Sequence, residues 1–184
     1  MAVTMMLALG LAMSGPDYAL ESVPVEGYRS AFTVEIAAPI EEVFEAATGD
    51  VTAWWDHSFA TDPAQIVIEA HPGGHFYEVF EAGKTDGAIH ADVIYVQRPT
   101  LLRLHGPLGL SGRSYDLVST WQLAPGQSDG VTQFTVNLSM HGEINEDTAG
   151  VVTQVWHHFI AERLKVYVEA GCHLDMDAPC MAFD

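Results

Sequence analysis

Basic residues are scarce in this sequence. Lys and Arg total 7 of 184 residues against 25 Asp and Glu, a formal net charge of −18. The seven, Arg29, Lys84, Arg98, Arg103, Arg113, Arg163 and Lys165, are scattered, so no basic patch exists. Nucleic-acid binding is not expected, because phosphate contacts need clustered cations. Anionic membrane surfaces are disfavoured for the same reason. Cysteine is limited to Cys172 and Cys180. With no CxxC pair, thioredoxin-type redox chemistry has no support. The two thiols either close a small loop in an exported protein or stay free. The apolar tract 1–13 is too short to span a bilayer, so no membrane insertion is expected. The sequence also lacks a Gly-x-Ser-x-Gly elbow, a Walker loop, a dinucleotide fingerprint and any internal repeat.

What is present fits one globular domain. Hydrophobic residues make up 48% and charged residues 17%, which separates the chain from disordered sequences. A chain of this length buries roughly 70% of its unfolded surface, so it needs neither metal nor disulfide to fold. Tract 1–13 reads as a signal-peptide core with a small-residue cleavage site at Ala12-Met13-Ser14, though it has no positive n-region. Export to the periplasm is the expectation and a cytoplasmic location the alternative. The expected organisation is a signal peptide and linker at 1–27, a folded domain at 28–171 and a tail at 172–184.

Within the domain the periodicity is informative. Residues 28–36 alternate as a strand, and Pro39-Ile40-Glu41-Glu42 opens a short helix with proline and acids in its first turn. Thr48-Gly49-Asp50 stops it and caps a second short helix through Trp54-Trp55. Six strands come next, at 65–69, 75–80, 88–97, 101–105, 115–123 and 132–140. In the last, Phe134, Val136, Leu138 and Met140 alternate with polar residues, the mark of an antiparallel sheet with one buried face. The final element is a long helix at 146–170, with Asn145 as N-cap and Gly171 just past its end. Val152, Trp156, Phe159, Ile160, Leu164 and Tyr167 form its apolar stripe. The fold class is therefore α+β: a curved antiparallel sheet of six to seven strands around a long C-terminal helix, with two short helices after strand 1. A sheet curved this way leaves an apolar hollow between itself and the helix.

Four phrases resemble one family. They are Ile36-Ala-Ala-Pro39-Ile-Glu-Glu-Val43-Phe44, Trp54-Trp55, Pro72-Gly73-Gly74-His75-Phe76 and Arg98-Pro99-Thr100-Leu101-Leu102. In this order they resemble the START-like (Bet v 1-type, helix-grip) superfamily, and within it the family named for the Hsp90 ATPase activator homologue. The chain departs from that pattern at Arg98, where the family has a first proline. It departs again at Val155-Trp156, where the family often has Gly-Trp and where the register against Leu164-Lys165 is shifted by about one residue. The resemblance implies the helix-grip fold and a ligand pocket. It implies no universal catalytic residue, so no enzyme activity carries over from it; no cofactor is expected.

The aromatic set is the best functional signal. Trp55, Phe59, Phe76, Tyr95, Trp121, Trp156 and Phe159 come from every element expected to face the hollow, with Leu108 as a lip residue and Ile160 and Arg163 on the helix. Leu108 and Leu110 are expected to gate the pocket from the Gly-rich segment 106–112. Glu78, His90, Asp92 and His105 are the candidate acid–base residues. Strand alternation leaves two registers open for Glu78, and the expectation is that Glu78, His90 and Asp92 face water. Arg163 either anchors a ligand carboxylate or lies along the surface near the helix C-terminus. No metal site is expected: His157 and His158 diverge by about 100° on a helix, and His71 and His75 lack a third ligand. Three functions compete: binding of a small apolar molecule, an enzyme of cyclase, lyase or hydrolase type, and a co-chaperone-like interaction module. Oligomeric state is not legible.

Overall fold

The computed structural model describes residues 21–175. The expected export segment and Cys180 lie outside the described residues. The sequence order becomes β1 (Glu26–Ile36), α1 (Ile40–Ala46), β2 (Gly49–Asp50), β3 (Gln65–Ile68), β4 (His75–Val79), β5 (Gly87–Gln97), β6 (Leu101–Gly106), β7 (Tyr115–Pro125) and β8 (Thr132–Gly142). A continuous C-terminal helix completes the order: α2 (Glu146–His158), a π-helical turn (Phe159–Leu164) and α3 (Lys165–Glu169). The strands form one sheet in the order β1-β8-β7-β6-β5-β4-β3-β2, antiparallel throughout. Among the described residues no helix is long and apolar enough to cross a membrane.

Two expectations are corrected. The sheet has eight strands, because the two residues Gly49–Asp50 pair with Val67 and Ile68. Consequently the second short helix does not form. Asp50 still caps, accepting from Thr52 N at 3.1 Å, but the chain then makes a single turn in which Trp54 N and Trp55 N both donate to Val51 O.

The ends of the long helix match the sequence reading. Asn145 accepts from Thr148 N at 2.9 Å, satisfying an orphan donor of the first turn. Gly171 has φ +75°, and Cys172 N donates back to Tyr167 O at 3.1 Å, a Schellman closure that needs the left-handed residue. Cys172 is buried and disulfide-bonded.

The helix lies along β1. Ser30 Oγ meets Thr153 Oγ1 at 2.8 Å, and Ala37 N donates to Glu169 Oε1 at 2.8 Å. Its inner face buries Trp156, Phe159, Ile160, Leu164, Tyr167 and Val168 against Trp54, Trp121, Phe134 and the inward residues of β5 to β8. The π-helical turn takes up one extra residue, which is how the shifted register between Trp156 and Leu164 still keeps both inside.

Candidate functional site

A cavity of about 300 Å³ opens between the sheet and the helix, at the low end for small-molecule sites. Five segments build it. The loop after β2 contributes Trp55, His57, Ser58 and Phe59; β4 and β5 contribute Phe76 and His90. The β6–β7 loop contributes Leu108, Gly109 and Leu110, and the helix Val151, Val152, Val155, Trp156 and Phe159. Both leucines of the Gly-rich segment thus line the cavity.

The aromatic wall is rigidly packed. Trp55 stacks on Phe159 with centroids 3.7 Å apart, and meets Phe76 edge-on at 4.9 Å and Trp156 at 5.9 Å. Phe59, half exposed at the mouth, stacks on His90 at 5.5 Å. Leu108 holds a left-handed backbone (φ +45°) that a leucine rarely adopts, and its N–H donates to His90 O at 2.8 Å. The lip is thus tied to the strand that carries the cavity's histidine.

That histidine is placed by a β-bulge. Phe76 pairs with Ala91 but Tyr77 pairs with Ile89, so His90 is the extra residue on β5. His90 and Ala91 consequently both face inward. This corrects the expectation that Glu78 and His90 are solvated: they are 1% and 7% exposed. Glu78 accepts the Phe59 N–H at 3.0 and 3.3 Å on its two oxygens, and its Oε2 lies 3.9 Å from His90 Nε2. Burial pushes the His90 pKa below its usual value, more strongly than Glu78 pulls it up. Asp92 is solvated as expected, held by His75 at 3.0 Å, because the bulge reverses its parity relative to His90.

Five other expected residues are not in the lining. Tyr95 is 43% exposed, under the Arg103 guanidinium at 5.6 Å. A second bulge causes this: Val93 pairs with Leu104 and Tyr95 with Arg103, so the extra Ile94 turns Tyr95 outward. His105 is half exposed and pairs with Asp116 at 2.7 Å. Trp121 and Ile160 are core residues behind the wall, Trp121 meeting Trp156 edge-on at 6.0 Å. Arg163 pairs with an acid: its Nε lies 3.2 Å from Asp56 Oδ2.

That acid belongs to a cluster the sequence reading missed. Donor atoms of Asp56, His57 and His158 lie within 4.8 Å of one another. His158 bridges Asp56 and Glu162, at 2.8 Å to each, and His57 meets Asp56 at 2.8 Å. Burial opposes charge on His158, but the two carboxylates outweigh it and hold its pKa above the usual value. Burial likewise opposes charge on Asp56, yet His158, His57 and Arg163 hold its pKa low. The arrangement is an ion-pair clasp that ties the Trp55–Phe59 loop to the helix. Nothing in the periodicity announces it, since Asp56 and His57 sit in a loop.

The model of the family described as activator of Hsp90 ATPase homolog 1-like protein matches residues 37–169. Solved structures share the fold. A protein from Rhodobacter sphaeroides is 20% identical with a TM-score of 0.54, covering 80% of this chain and 93% of that one. Protein CV1439 from Chromobacterium violaceum is 18% identical with a TM-score of 0.55, covering 77% and 96%. CalU16 from Micromonospora echinospora is 14% identical with a TM-score of 0.51, covering 80% and 84%. No curated protein matches the chain in sequence.

Proposed function

Because this chain belongs to the activator of Hsp90 ATPase homolog 1-like family, with its START-like fold, we propose that it binds a small apolar or aromatic molecule between sheet and helix. The observation that carries the reading is the wall itself: Trp55, Phe59, Phe76, Trp156 and Phe159 around a cavity of about 300 Å³. Aromatic side chains give large contact area at low entropic cost to a flat apolar guest. Binding is favoured over catalysis because Asp92 and His105 lie outside the cavity and Glu78 stands 3.9 Å from His90, beyond hydrogen-bond reach.

Native mass spectrometry of the protein purified gently from its own host tests this. A co-purifying small molecule supports the proposal. A bare mass, with no rise in melting temperature across a panel of apolar ring compounds, contradicts it.

A further inference from the structure

Three polar side chains line the otherwise apolar cavity, and of these His57 and Ser58 are exposed while His90 is buried. His90 is 7% exposed and its Nε2 is buried without a hydrogen-bond partner. Among the described residues neither of its ring nitrogens has a hydrogen-bond partner, which is costly for the buried Nε2. The bulge that turns it inward and the Leu108 N–H on its carbonyl hold it against the cavity. Phe59 and Phe76 flank its ring, at 5.5 and 4.8 Å.

The neighbouring carboxylate lies on the Nε2 side of the ring. Glu78 Oε2 lies 3.9 Å from Nε2, too long for a hydrogen bond but near enough to favour a proton on that side. A neutral imidazole protonated at Nε2 carries its lone pair on Nδ1. Resting on the ligand-binding reading above, we propose that His90 is a hydrogen-bond acceptor for the ligand, and that the pocket selects flat aromatic molecules bearing a hydroxyl over the same rings without one. The aromatic wall takes the ring. Nδ1 takes the hydroxyl proton as a hydrogen bond, with no bond broken.

The test uses 1-naphthol and naphthalene as probes on the full chain. Wild type is expected to bind 1-naphthol about five- to tenfold more tightly than naphthalene, the ratio one neutral hydrogen bond supplies. His90→Phe is expected to lose that ratio, whatever its effect on naphthalene affinity, and His90→Gln, which retains an acceptor, to recover part of it. A second readout needs no variant: imidazole ¹⁵N resonances of His90 are expected to report the Nε2–H tautomer, with Nδ1 shifting on 1-naphthol and not on naphthalene. Equal binding of both probes with unmoved His90 signals overturns the anchor and leaves the pocket standing. Binding of neither probe overturns the pocket reading and the anchor with it.

Discussion

Trp55 and Phe159 stack with ring centroids 3.7 Å apart and planes 21° from parallel. One ring comes from the turn after β2, the other from the π-helical turn, so this contact joins two sides of the cavity wall. Removing Phe159 leaves Trp55 without its partner and creates a void that Phe76 and Trp156 cannot fill. Phe159→Ala is expected to cost about 3–5 kcal/mol in urea denaturation. Tyr95→Ala, on the outer face, is expected to stay within about 1 kcal/mol of wild type.

Gly106 sits where β6 passes the His90 bulge. A Cβ there would meet His90 O at 2.7 Å and Ala91 Cα at 2.8 Å, both fixed strand atoms. Gly106→Ala therefore forces the strands apart at the point that aims His90. The expected loss is about 1–3 kcal/mol, with displaced backbone amide resonances at 90 and 91. An unchanged spectrum would contradict the bulge as the device that sets the histidine.

The clasp at the rim makes stability depend on pH with a definite sign. His158 has its folded pKa raised by Asp56 and Glu162, with His57 and Arg163 also on Asp56. A raised histidine pKa contributes stability that is full below its unfolded value of about 6.5 and is lost as pH rises through the folded pKa. Asp56, with a lowered pKa, contributes above its unfolded value of about 3.9 and loses that contribution as pH falls through its folded pKa. The melting-temperature gap between wild type and His158→Gln is thus expected to be larger at about pH 5 than at about pH 9. A gap that grows with pH would show that the imidazolium is not what holds the loop.

Much of the scaffold was legible because it is periodic. Phe134 to Met140 alternate as a strand must, and Asn145 and Gly171 carry the two helix ends. The site was legible where its residues ride on those elements: Phe76, Trp156 and Phe159 line the cavity as expected. It was not legible where parity slips. The extra residues His90 and Ile94 each reverse the faces of the residues after them, and a bulge leaves no compositional mark. His90 points inward and Tyr95 outward for that reason. The Asp56–His158 contact joins a loop to a helix 102 residues away, and no local pattern encodes such a pairing.

The most direct measurement of the central claim is a fluorescence titration with N-phenyl-1-naphthylamine, a neutral apolar dye, into wild type and Val155→Trp. Val155 lines the cavity from α2, and an indole there fills the space a guest needs. Saturable one-site binding by wild type, abolished in a variant that melts at the same temperature, is the predicted result. Identical isotherms for the two proteins would place the dye elsewhere and contradict an internal ligand site.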